Sequence, residues 1–282
     1  MTQENGLSAL EITDFPIDDD CVGAKWIVKN DDQLSKLIAI VVMGQAAQAA
    51  YIIDELIPAA PAFTNEALQN EAIIKFTVQE EKQTPRVGYP RHQRDGLIFE
   101  IISWIAAKQI AGDKCYLKDP HTSATSQGLD GIMIELSEDS SQIEKSTIFE
   151  DKCTEHPRDT FRENVTPGFV DRHSNTRNAE LIAAAASLIQ LSGIATPQAM
   201  QMVSRVLDNS YRRYRAAFAL TDKYDNEKAR ERLFKGYNSL GGINQSQRIG
   251  ASLIVEGELR DWFDLIAIKI IGYIQEIDEV QA

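Results

Sequence analysis

The chain has 282 residues, a formal net charge of −13 and 43% hydrophobic residues. That is ample apolar content for one large core or two small ones, and the acidic balance excludes a strongly basic, stand-alone nucleic-acid binder. The longest apolar run, Leu37–Met43, is far short of the roughly 20 residues a membrane span needs.

The start, Met1-Thr-Gln-Glu-Asn5, lacks the basic opening of a signal peptide. Cys21, Cys115 and Cys153 show no framework spacing and read as free thiols in a reducing cytoplasm. The charge is unevenly spread. Residues 1–80 carry 13 acidic and 4 basic side chains, whereas residues 205–235 carry 5 acidic and 9 basic ones. A protein that meets DNA through a limited patch, or is handed DNA by a partner, fits this distribution.

In chain order, residues 7–30 read as two short strands around the Asp18-Asp19-Asp20 turn. Three successive turn residues diverge, so a solvated turn is expected there rather than a metal site. Asn30 is placed as an N-cap, and apolar residues from Leu34 to Leu56 at helical spacing predict a helix over 33–57, ended by Pro58 and Pro61. Residues 71–80 read as a further strand. Together, residues 1–85 form an expected acidic N-terminal α/β subdomain, a surface suited to docking a basic partner.

Residues 81–95 form a polar connector with Lys82, Arg86, Arg91, His92 and Arg94. It reads either as a basic loop that touches phosphate or as a solvated linker, and it opens the second expected domain, 86–282. A helix over 96–110 follows, its broad apolar arc interrupted by Glu100. Lys114–Lys118 reads as a core strand, and a loop containing His121 leads to Asp130.

Residues 128–155 then set two apolar runs around a charged turn, the pattern of a β-hairpin. Asp130 opens the first strand; Glu150 and Lys152 stand near the end of the second. Residues two apart on a strand share a face, so Glu150 and Lys152 point together and Asp151 points away. Beyond the hairpin, Thr154, Glu155, His156, Arg158 and Arg162 are placed either beside this cleft or on a solvated connection. An Ala-rich helix is expected over 175–192 and another over 197–219. The second carries Tyr211-Arg-Arg-Tyr-Arg215, where Arg212 and Arg215 read either as nucleic-acid contacts between aromatics or as snorkelling side chains. A basic helix over 225–237, a strand over 247–255 and an amphipathic helix over 257–275 complete the series.

Asp130 and Glu150 supply the hard oxygen ligands that Mg²⁺ or Mn²⁺ prefers, and Lys152 can orient a water or offset negative charge in a transition state. The alternative for Glu-x-Lys on a strand is a solvated cross-strand pair.

An Asp followed about twenty residues later by Glu-x-Lys on the adjacent strand resembles the PD-(D/E)XK nuclease superfamily, although Leu129 holds the place of the usual proline. The segments Arg94–Glu100, Gly128–Gly131, Phe149–Lys152 and Arg158–Arg162, followed by the Ala-rich helix, resemble more narrowly the HamA family of the bacterial Hachiman anti-phage system. The resemblance covers roughly residues 90–270.

It implies a restriction-endonuclease-like mixed central sheet flanked by helices, with Asp130 and Glu150 as metal ligands and Lys152 as the catalytic lysine. Glu100 becomes a candidate third acid, because a helix before the first core strand often offers one. It further implies a metal-dependent deoxyribonuclease of the bacterial cytoplasm using Mg²⁺ or Mn²⁺, with DNA as substrate and a superfamily 2 helicase, HamB-like, as partner. Phosphate contacts are expected from Arg158, Arg162 and the basic segment 205–235. The rival expectation is a non-catalytic, DNA-sensing interaction subunit with the same fold.

Overall fold

A computed structural model describes residues 7–126 and 128–277. The N-terminal residues read above for a targeting signal lie outside them. A single mixed sheet of seven strands runs through the molecule. Its strands are β1 (Leu10–Asp14), β2 (Val22–Val28), β3 (Cys115–Leu117), β4 (Gly131–Leu136), β5 (Ile143–Cys153), β6 (Arg212–Thr221) and β7 (Arg248–Val255), in the spatial order β1-β2-β7-β6-β5-β4-β3. β3, β4 and β5 form an antiparallel meander. β5, β6, β7 and β2 are mutually parallel, and β1 closes the far edge antiparallel to β2.

Helices cover both faces. On one face lie α1 (Asp31–Val42), α2 (Ala46–Glu55), α3 (Glu66–Phe76), α4 (Arg91–Ile110) and α10 (Leu259–Glu276), packed in one apolar cluster with Ala217, Ala219, Ala251 and Leu253 of β6 and β7. The other face carries α5 (Pro157–Thr160), α6 (Thr166–His173), α7 (Asn178–Leu191), α8 (Thr196–Val203) and α9 (Glu227–Phe234). Their cluster takes in Ile132, Ile134, Ile148, Ala216 and Phe218 from the sheet. The alternation of β6 residues between the two clusters is the period-2 pleat of a strand buried on both faces.

The hairpin, the first two strands, β7 and α10 stand where the sequence places them. Asn30 caps α1, its side chain accepting from the Gln33 N–H at 2.9 Å. Asp18 serves a turn: its Oδ1 accepts from the N–H groups of Asp20 and Cys21 at 2.8 and 3.0 Å. β1 and β2, from residues 1–85, share one sheet with the later strands through the pairing of β2 with β7.

Four expectations are corrected. The helix expected over 33–57 is two, α1 and α2, broken at Gly44, whose φ of 81° is left-handed and favours glycine. The strand expected over 71–80 is α3, which the Asn65 side chain caps by accepting from the Leu68 N–H at 2.9 Å. The Asn65 cap and the burial of Ala72 and Phe76 against the core select the helix over the strand propensity of Ile73, Ile74 and Thr77. The strand near 114–118 is the edge strand, not a central one. Finally, α8 ends at Val203 and Arg212–Thr221 is β6, so the Tyr-Arg cluster lies on an interior parallel strand rather than a helix. No helix among the described residues is long and apolar enough to cross a membrane.

Candidate active site

The register of β4 on β5 pairs Gly131 with Phe149, which sets Asp130 one step further along, beside Glu150. Glycine is required at 131: a Cβ there would lie 2.5 Å from the Phe149 ring. Close approach of the two strands brings three charged groups together. The Lys152 Nζ lies 2.9 Å from Asp130 Oδ2 and 3.0 Å from Glu150 Oε2, so these two oxygens stand within about 6 Å of each other. Burial of Lys152 opposes its charge, but Asp130 and Glu150 outweigh it and hold the ammonium above its ordinary range. The side chain keeps 29% of its surface open, so solvent reaches it.

Two further contacts fix the carboxylates. Asp130 Oδ2 accepts from the Asp151 main-chain N–H at 2.8 Å. Glu150 Oε1 receives Arg172 Nη1 at 2.8 Å, from the last turn of α6. No sequence signal pointed to Arg172, which lies 22 residues from Glu150 on a different element.

Asp151 points to the opposite face of the sheet, as the period of two requires. There it meets Ser103 of α4, whose hydroxyl donates to Asp151 Oδ1 at 2.7 Å. Arg215 Nη2 also donates to the Ser103 hydroxyl and lies 3.5 Å from Asp151 Oδ1. The Arg215 guanidinium sits 3.5 Å from the Phe149 ring centroid and 5.3 Å from that of Trp26. Burial pushes the Asp151 carboxyl up to about 7, against Arg215 and Ser103, with Asp130 and Glu100 adding to the rise. Ser103 was legible as a lone hydroxyl inside the apolar run Ile101–Ile105, a pattern that asks for a buried partner.

Glu100 is engaged elsewhere. Its Oε1 accepts from the His121 main-chain N–H at 2.8 Å and lies 2.9 Å from His121 Nδ1. It is not joined to the Asp130–Glu150 pair, and among the described residues no three His, Cys, Asp or Glu side chains cluster as a metal site.

The expected nucleic-acid contacts divide. Arg162 is exposed and paired with Asp159 and Glu163 at 3.1 and 2.5 Å. Arg158 is turned inward and donates to the carbonyls of Leu233 and Lys235 at the end of α9. Arg212 and Arg215 are corrected outright. Arg212 is fully buried, donating to the carbonyls of Val206 and Arg172 and to the side chains of Asn209 and Asn175. Arg215 lies under Phe149 as described. Neither guanidinium faces solvent, because an interior strand of a parallel sheet has helices on both sides.

Beyond Lys152 the strand ends at a shallow cavity at the carboxyl ends of β5 and β6. Thr154, Glu155, Thr221, Lys223, Tyr224 and Glu258 line it. Crevices at the carboxyl ends of parallel strands are where α/β sheets commonly hold ligands.

Comparison of the chain with protein-family models, with curated proteins and with solved structures finds no match in any of the three.

The donor set can be tested against a divalent cation directly. Mg²⁺ is held through one or two carboxylates, with water and substrate phosphate completing its shell. Asp130 and Glu150 meet that requirement: two carboxylates from adjacent strands converge on one point, now filled by the Lys152 ammonium. An all-protein cage is not present among the described residues.

Proposed function

We propose that the chain is a metal-dependent nuclease that hydrolyses phosphodiester bonds at Asp130, Glu150 and Lys152. The observation that carries this reading is the Lys152 ammonium bridging the two carboxylates across β4 and β5. The order of elements adds support. A long helix, α4, precedes an antiparallel meander; helices follow; then a fourth strand, β6, runs parallel to the third. This agrees with the restriction-endonuclease-like architecture, which forms part of the proposal.

Asp130 and Glu150 would hold Mg²⁺ or Mn²⁺. When bound, the ion supplies an acidified water and stabilises charge on the phosphate. Asp130 is oriented by the Asp151 N–H, and Glu150 by Arg172. Lys152, anchored between them and partly open to solvent, carries positive charge to the phosphate or to the attacking water. Glu100, held by His121, adds its field at Asp151 on the other face of β5.

The resemblance of the motif segments extends the proposal to DNA as substrate, to anti-phage defence and to control by a superfamily 2 helicase. The test is cleavage of plasmid and linear DNA with Mg²⁺ or Mn²⁺, by the wild type and by Glu150→Ala/Lys152→Ala, with and without the cognate helicase. Metal-dependent cutting that the variant loses supports the nuclease.

A second reading is a non-catalytic interaction subunit that senses DNA. The observation that favours it is charge balance: Asp130 and Glu150 are already matched by Lys152 and Arg172. No cutting under any condition, with DNA binding intact, would select it.

A further inference from the structure

Glu150 is held from two sides, and the second hold is unusual. Arg172 is 1% exposed. Its Nη1 meets Glu150 Oε1 at 2.8 Å and the Gly168 carbonyl at 3.4 Å, while its Nε is buried without a hydrogen-bond partner among the described residues. An unused buried donor on a cation is costly. Glu150 is the only acid paired with this guanidinium among the described residues.

The helical run that carries Arg172 is built to aim it. α5, a π-helical turn over Phe161–Val165 and α6 continue one another without leaving the right-handed region. Phe161, Val165 and Phe169 are each 0% exposed and anchor the run in the core. The wide π turn rotates everything after it, a device found often at functional sites. Gly168 stands one turn before Arg172, beside the ion pair. A Cβ there would lie 3.6 Å from Arg172 Nη1 and 4.0 Å from Glu150 Oε1.

Two carboxylates, one ammonium and one guanidinium sum to no net charge. A free divalent cation gains little from approaching a neutral quartet. The same cation arriving with an anionic phosphodiester meets a balanced site. We infer that Arg172 is a positioning residue which fixes the orientation of Glu150 and cancels its charge, so that the Asp130–Glu150 pair takes up a divalent cation together with a phosphate-bearing substrate rather than alone. This rests on the reading of Asp130 and Glu150 as cation ligands.

The test is Mn²⁺ binding by calorimetry to the full chain, alone and with a non-cleavable phosphorothioate DNA duplex. The wild type should bind Mn²⁺ at least tenfold more tightly with the duplex than without it. Arg172→Gln should bind free Mn²⁺ roughly tenfold more tightly than the wild type, the weight of one unit charge about 6 Å from a divalent ion at the screening of water. Arg172→Lys, which keeps the charge, should leave that affinity unchanged while altering kcat more than KM. Equal wild-type affinities with and without duplex would overturn the inference, and this arm needs no variant to fold. So would a folded Arg172→Gln with wild-type affinity for free Mn²⁺. Failure of the wild type to bind Mn²⁺ even with the duplex would overturn the nuclease reading itself, and this inference with it.

Discussion

The main-chain N–H of Asp151 donates to Asp130 Oδ2 at 2.8 Å. The strand that presents Glu150 and Lys152 therefore also holds the opposing carboxylate in place. Side chains on both faces of β5 are tied to the same short stretch of backbone.

Lys152→Met removes the cation that two part-buried carboxylates share. Stability should fall by about 1–3 kcal/mol, the usual cost of leaving such groups unpaired. Chemical denaturation measures this, and under the proposed nuclease function a cleavage assay on the same preparation should show no metal-dependent cutting. A variant as stable as the wild type would show that the ammonium contributes nothing to holding the carboxylates together.

Asp151 sets a pH dependence. In the folded chain it keeps its proton up to about pH 7, because burial outweighs the Arg215 guanidinium. In the unfolded chain it releases that proton near the ordinary carboxylate value of 3.8. Between those limits the folded state binds more protons, so this group's contribution to stability falls as pH rises through the window and is flat above it. Asp151→Asn removes the decline. In metal-free buffer its Tm should therefore gain on the wild type steadily from about pH 4 to about pH 7 and no further above that. A pH-independent difference would place the Asp151 carboxyl outside that range.

Arg212 is an internal tether rather than a DNA contact. It joins β6 to the end of α6 through the Arg172 carbonyl and the Asn175 side chain. Arg212→Ala leaves several buried acceptors without donors and should cost about 3 kcal/mol or more. At a temperature where the variant is fully folded, its affinity for DNA should match the wild type. A selective loss of DNA affinity would restore the surface role.

Gly131→Ala forces a methyl against the Phe149 ring, on which the Arg215 guanidinium also packs. Overpacking of this kind costs about 1–3 kcal/mol. Because the strain falls on the cross-strand pair next to Asp130 and Glu150, cleavage under the proposed nuclease function should drop further than stability accounts for. Thermal melts and turnover measured together would separate the two effects.

What the sequence made legible follows the range of the forces involved. The hairpin, the Asn30 cap and the amphipathic α10 are written in neighbouring residues, and local reading finds them. β6 was hidden because its sequence, Arg212–Thr221, begins with charged and aromatic residues that no fully buried strand usually carries. Those arginines are tolerated only through partners on remote elements, such as Ser103, Asn175 and the Arg172 carbonyl. Arg172 itself gave no signal, since its role depends on a π turn that rotates α6 over β5. The Asp130, Glu150 and Lys152 constellation was legible because strand period and hairpin register bring the three together by local geometry alone.

The pairing of β2 with β7 sets a condition on assembly. Val22 meets Ile249, residues about 230 positions apart. During synthesis β1 and β2 emerge early, with one edge of backbone N–H and C=O groups unmatched until β7 has left the ribosome. Such non-local pairing is slow to form, and unpaired strand edges recruit other chains while they wait. The exposed edge of β2 is therefore a site where a nascent chain could pair with the wrong partner before β7 arrives.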